Sequence, residues 1–342
     1  MRVAMYYNNR DVRLEDVPRP EIGSGEILLR VEASGICGSD VLEWYRIHKA
    51  PLVLGHEVAG TVAEVGQGVK KYKVGDRIVV SHHVPCLTCH YCMNGHETVC
   101  DTLRSTNFYP GGFSEFTRAP AINVDRGVYF LPDGVDFEEG SFAEPLACVV
   151  RGQRILKIEP GSSVLVLGAG IAGLLHVALA RALGAGRIVA TDTNDYRLRA
   201  AEKFGADVSL DAAKDIPAKF REINNGRLAD RVIVCTGAMK AMRQALDSVD
   251  RGGTVMFFAS TGPDEVLPIN IERTFWRTDI TLTTSYAGSP ADHVKALELI
   301  RSKAVPVKDM ITHRLPLAEA GKGFLLVAEA KESIKVIIKP QE

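Results

Sequence analysis

The chain has 342 residues, 46% of them hydrophobic and 24% charged, which is enough for two domains with buried cores and excludes a disordered or fibrous protein. Its 41 Lys and Arg against 42 Asp and Glu leave a net charge of -1, so no bulk field favours nucleic acid or an anionic membrane, and binding is expected to be local and chemical. No apolar run approaches the roughly 18 residues of a membrane span, and the opening MRVAMYYNNRDVRLEDVP holds no signal-peptide core, so a cytoplasmic protein that does not bind membranes is expected.

Up to about residue 145 short β segments alternate with Gly and Pro: EILLRVEASG, EVAGTVAEVG, DRIVVSHH, FSEFTRAP and NVDRGVYFLP. They predict a barrel-like β domain with long functional loops. Two of those loops carry unusual donors. Cys37-Gly38-Ser39-Asp40 follows the first segment and Gly55-His56-Glu57 opens the next, so one thiolate, one imidazole and one carboxylate offer a mixed zinc set with a position left for water or substrate. Further on, Cys86-x2-Cys89-x2-Cys92-x7-Cys100 places four thiols on one loop, a pattern suited to a closed tetrahedral zinc site; the x7 gap and the lack of a Cys-Pro ending argue against an iron–sulfur cluster. His90 and His96 within the loop are expected to be exposed, since four sulfurs complete the site.

From about residue 160 apolar strands alternate with amphipathic helices, the texture of a parallel sheet covered on both faces. The strand Val164–Leu167 runs into Gly168-Ala169-Gly170-Ile171-Ala172-Gly173 and a helix. Gly168 permits the tight turn, Gly170 lets backbone approach a pyrophosphate, and Gly173 lets helix pack on strand, with the helix N-terminus facing the phosphates. Asp192 ends the next strand, where an acid accepts the ribose 2′-hydroxyl and repels a 2′-phosphate, so NAD is preferred to NADP. Arg197 is expected to stack on adenine or to help bind a phosphate. After Pro290 come a helix, a strand, a second helix (AEAGKGFLLVAEA) and a closing strand, SIKVIIKP, expected to return to the first domain.

The order G-H-E-x2-G-x5-G (residues 55–66), four-cysteine loop, Glu144-Pro145 and glycine turn resembles the zinc-dependent medium-chain alcohol dehydrogenases, in the branch of sorbitol (L-iditol 2-dehydrogenase-like) and threonine dehydrogenases. The resemblance implies an α/β plus β fold: a GroES-like catalytic domain over 1–147, an inserted Rossmann NAD-binding domain with a doubly wound parallel sheet over 148–290, and a return to the catalytic domain over 291–342. It further implies two zinc ions per chain. Cys37, His56, Glu57 and Glu144 match the catalytic-zinc positions, with either carboxylate as direct ligand, Cys86, Cys89, Cys92 and Cys100 match the structural zinc, and Ser39 matches the proton-relaying hydroxyl. The implied activity is NAD-linked oxidation of a secondary alcohol, most simply a polyol or sugar alcohol, with L-threonine or a simple secondary alcohol or diol as alternatives, by a homodimer or homotetramer. Where the family often carries a relay histidine this chain has Leu42, and where polyol dehydrogenases place an arginine it has Ser285; His48 is a candidate replacement relay, and Phe108 and Tyr109 are candidate walls.

Overall fold

The β-rich and the β/α-alternating textures fall into different compact units. The computed structural model describes residues 1–342 as two units, one of Met1–Cys148, Ala287–Lys303 and Val307–Glu342, the other of Val149–Tyr286 with Ala304–Pro306. The first unit contains β1 (Arg2–Asn8), β2 (Asp11–Asp16), β3 (Ile27–Gly35), β4 (Leu52–Val53), β5 (Glu57–Val65), β6 (Arg77–Ser81), β7 (Phe116–Ala119) and β8 (Val128–Phe130). The second holds β9 (Ser163–Leu167), β10 (Arg187–Asp192), β11 (Val208–Asp211), β12 (Ala229–Val234), β13 (Val249–Phe257) and β14 (Thr281–Thr284), and the chain returns to the first with β15 (Ile311–Pro316) and β16 (Lys335–Lys339).

In the first unit a small sheet, β2-β1-β4, accompanies a larger one ordered β15-β16-β3-β5-β6-β8, with β7 also on β3. Ile27, Leu29, Val31, Val58, Val62 and Ile78 fill the space between the central strands. Each such side chain contributes about 1.5–3 kcal/mol when fully buried, so the interior is apolar and polar chemistry is pushed to the strand ends. A second cluster gathers Tyr6, Phe113 and Phe324, the Phe324 ring lying 5.6 Å from each of the other two. The strand expected across NVDRGVYFLP is shorter than its apolar pattern suggests, because Ala121–Arg126 forms a helix first and only Val128–Phe130 pairs, with β6.

The register places the site. Gly35 at the end of β3 opposes Glu57 at the start of β5, Glu57 opposes Ser81 at the end of β6, and Ile337 of β16 opposes Gly35. Cys37, His56, His82 and Lys335 therefore collect along one rim of the sheet.

The second unit is a six-stranded, wholly parallel sheet ordered β11-β10-β9-β12-β13-β14. Strand order reverses between β9 and β12, beside the glycine turn, which is where doubly wound sheets take a dinucleotide. β11 and the helix Ile216–Ile223 complete this sheet where the short VSLD run gave little sequence signal. No helix is long and apolar enough to cross a membrane.

Candidate active site

Cys37 is delivered by a sharp change of backbone after β3. It caps the short turn Gly38–Val41: the Ser39 N–H donates to Cys37 Sγ at 3.4 Å, and the Asp40 carboxylate accepts the Cys37 N–H at 3.0 Å. The ligand-atom positions of Cys37, His56 and Glu57 all lie within 4.8 Å of one another.

Each member is held by a partner that the sequence candidates omit. Asp40, fully buried, sets its Oδ1 3.3 Å from His56 Nδ1 and 3.5 Å from Arg46 Nη2. Burial alone raises the Asp40 carboxyl, but His56, Arg46 and the Cys37 N–H outweigh it and keep the group below the usual carboxylate range. A histidine whose Nδ1 faces a carboxylate has its ring fixed and its Nε2 left for a metal. Glu57 is equally buried and pairs with Lys335, whose Nζ also donates to the Ile36 carbonyl at 3.2 Å and lies 5.6 Å from the Phe142 ring. Gly35 makes that pair possible. A Cβ there would meet the Glu57 carboxylate and stand 2.6 Å from Lys335 Cε, so carboxylate and ammonium meet over a strand residue with no side chain.

Glu144 stands outside the group of three and receives a 3.5 Å contact from the Cys148 thiol. Burial first, then Glu57, pushes its carboxyl up to about 7, against the opposing pull of His56. Ser39 is met by Arg46, which donates from Nε to the Ser39 carbonyl at 3.0 Å and from Nη2 to Oγ at 3.3 Å. His48 is exposed and makes no hydrogen bond to Ser39. Phe108 is buried among the central strands, which makes it core, and Tyr109 is exposed. The His82 ring lies 4.9 Å from that of His56, and its buried Nδ1 has no hydrogen-bond partner. One sulfur, one nitrogen and one oxygen, braced by Asp40 and Lys335, form a donor set that fits zinc with a position to spare.

The four-cysteine loop is a different object. Its sulfurs stand 3.6 Å (Cys89–Cys92 and Cys86–Cys100) and 4.0 Å (Cys86–Cys92) apart, too far for disulfides. A Zn–S bond of about 2.3 Å implies tetrahedron edges of about 3.8 Å, so the four sulfurs fit the metal. N–H groups of Thr88 and Cys89 point at Cys86 Sγ, that of Cys86 points at Cys100 Sγ, and the thiol of Cys86 is drawn down to about 5 chiefly by Thr88. His90 and His96 are exposed.

In the second unit Gly168 takes φ +97°, a Cβ at Gly173 would collide with the Gly168 carbonyl oxygen, and a Cβ at Gly170 would meet nothing nearer than Arg197 Nη1 at 3.7 Å. The turn is thus packed at Gly173 and open at Gly170, where the helix Ile171–Ala182 begins with Ile171 and Ala172. Asp192 accepts the Ala169 N–H at 2.8 Å and the Asn194 N–H at 3.0 Å, tying β10 to the turn, while Arg197 Nε is buried without a partner. An open glycine, free helix N–H groups and an unanswered guanidinium fit a dinucleotide pyrophosphate.

Residues 23–128 match the alcohol dehydrogenase GroES-like domain and residues 172–302 the zinc-binding dehydrogenase domain. The sorbitol dehydrogenase of Mus musculus is 34% identical over 96% of this chain and 93% of its own. Among solved structures, alcohol dehydrogenase TADH from Thermus sp. ATN1 superposes with a TM-score of 0.87 at 30% identity, covering 99% of both chains. A zinc-binding dehydrogenase of Sinorhizobium meliloti 1021 bound to NADP gives 0.88 at 29% identity, again over 99% of both.

Proposed function

The chain belongs to the zinc-dependent medium-chain alcohol dehydrogenases, and on that footing we propose that it oxidises a secondary hydroxyl of a polyol or sugar alcohol with NAD. The observation that carries this is the braced trio Cys37, His56 and Glu57, with Ser39 on the same turn as Cys37 and its backbone N–H on the Cys37 sulfur. Similarity to a sorbitol dehydrogenase supports the polyol.

Cys37, His56 and Glu57 would hold the catalytic zinc, with Glu144 behind them as a further carboxylate, and Cys86, Cys89, Cys92 and Cys100 would hold a second, structural zinc. When bound, the catalytic zinc supplies a Lewis acid for the alcohol oxygen and NAD supplies the hydride acceptor. The rest falls to side chains of this chain. Asp40 keeps the His56 ring oriented, Lys335 balances the Glu57 charge, and the Ser39 hydroxyl, aligned by Arg46, takes the substrate proton and passes it on. Gly168, Gly170, Ile171, Ala172 and Gly173 would seat the pyrophosphate, helped by Arg197. Asp192, at the end of β10, would accept the ribose hydroxyl and repel a 2′-phosphate, which favours NAD even though the Sinorhizobium relative binds NADP. The edge strand β14, paired only with β13 and preceded by the exposed Val266, Ile271 and Trp276, supports a homodimer or homotetramer, and seven free cysteines support the cytoplasm.

Initial rates of NAD and NADP reduction with sorbitol, xylitol, L-threonine, 2,3-butanediol and a simple secondary alcohol test this. Turnover concentrated on polyols with NAD is expected. Oxidation confined to L-threonine or to simple alcohols would replace the polyol reading.

A further inference from the structure

A neutral polyol leaves one feature of the rim unexplained. Arg46 ends the turn Glu43–Arg46 with its side chain only 14% exposed. Its Nε and Nη2 are spent on Ser39 and face Asp40, while Nη1 has no hydrogen-bond partner. Lys49 follows three residues later and meets only the Tyr45 ring, at 4.9 Å from the centroid, the ring that the Arg46 guanidinium faces at 4.7 Å. Carboxylates are scarce here. Asp40 already accepts the Cys37 N–H and faces His56, and Glu43 is turned to the Asn9 N–H at 3.3 Å.

A half-buried guanidinium with an unused N–H edge is built for a planar or tetrahedral oxyanion, which it binds through paired hydrogen bonds. Because the same guanidinium touches Ser39 Oγ, an anion on its free edge would sit beside the hydroxyl that receives the substrate proton. We propose that Arg46, flanked by Lys49, is an anion subsite, and that the substrate is a polyhydroxy compound bearing a carboxylate or phosphate in addition to the secondary hydroxyl that is oxidised. The oxidation is unchanged: bound NAD would accept the carbinol hydrogen as hydride, the O–H proton would leave through Ser39, the product would be a ketone, and the anionic group would take no part. This deepens the polyol dehydrogenase reading and rests on it.

The test is kcat and KM of the zinc-loaded enzyme for three six-carbon probes, sorbitol, D-gluconate and sorbitol 6-phosphate, in wild type, Arg46→Gln, Arg46→Lys and Lys49→Gln. One anionic probe is expected to exceed sorbitol at least tenfold in kcat/KM, and which one does so separates carboxylate from phosphate. Arg46→Gln should lower kcat for every probe through the lost Ser39 contact and, beyond that, cut the anionic-to-neutral ratio of kcat/KM at least tenfold by raising KM for the anion alone, with Arg46→Lys restoring part of the ratio and the exposed Lys49→Gln lowering it about threefold. Preference for sorbitol, or an Arg46→Gln variant that slows all probes by one factor, would overturn the subsite and leave the polyol reading standing; a raised KM for NAD with the ratio intact would reassign Arg46 to the cofactor. Failure of every probe to reduce NAD would remove the polyol reading and the subsite together.

Discussion

The two metal-capable sites of the first unit hold chemically similar groups by opposite means. In the cysteine lobe the ligands hold one another: Cys86, Cys89, Cys92 and Cys100 lie within fifteen residues of sequence, backbone N–H groups point at the Cys86 and Cys100 sulfurs, and the distant contacts are few, Arg126 donating to the carbonyls of Pro85 and Cys86 and Ala287 packing on the lobe's core. At the rim the ligands are held from outside. Lys335 reaches Glu57 from a strand 278 residues away in sequence, and Asp40 braces His56. A closed all-sulfur set leaves no position for a substrate and can only be structural, whereas a mixed set with charged braces leaves a position open and fixes the ligands around it.

That contrast can be broken at several points. Cys92→Ser should be the largest perturbation of the lobe, since structural zinc contributes on the order of 10 kcal/mol to folding of the segment it closes. The expected outcome is loss of one zinc and rapid hydrogen exchange across residues 86–100, read by mass spectrometry, with exchange in β9 to β14 unchanged. At the rim, in protein stripped of zinc, Lys335→Met leaves the Glu57 charge buried alone and should cost about 3–5 kcal/mol in denaturant unfolding, and adding Glu57→Gln should recover most of it. An equal loss in the single and double variants would show that the ion pair is not what braces the rim. Asp40→Asn removes a brace while sparing every ligand, so zinc affinity at the rim should fall about 10–100-fold in a chelator competition with the lobe zinc retained. The smallest effect belongs to His90→Ala and His96→Ala, which should change stability by no more than about 0.5 kcal/mol and leave zinc content alone, because both rings are exposed beside a complete sulfur set.

The same contrast explains what the sequence discloses. The lobe, the glycine turn and the β/α alternation are legible because their parts are neighbours in the chain, so spacing carries the geometry. Cys37, His56 and Glu57 are legible as donors through residue type and the short stretch between them. Their braces are not. Lys335 sits in an apolar closing strand, and only its register against Gly35 and Glu57 shows that it points into the site; the available signal is a lysine within the run SIKVIIKP, which asks for a buried acid elsewhere. Asp40 has no role assigned from the sequence; the structure shows one oxygen capping the turn at the Cys37 N–H and the other facing His56. Arg46 lies on a turn whose path no local pattern specifies, so His48 looks as good a partner for Ser39 until the turn is seen to aim Arg46 at the hydroxyl and His48 at solvent.

Zinc per chain, measured by elemental analysis of wild type, Cys37→Ala and Cys92→Ser after identical zinc loading, tests the central claim that the two sites are separate and differ in role. Two zincs are expected in wild type and one in each variant, with Cys37→Ala losing NAD-linked oxidation while staying folded and unfolding like zinc-stripped wild type that keeps only its lobe zinc. A single zinc in wild type that persists in Cys37→Ala would contradict the account, because the rim would then not be a metal site.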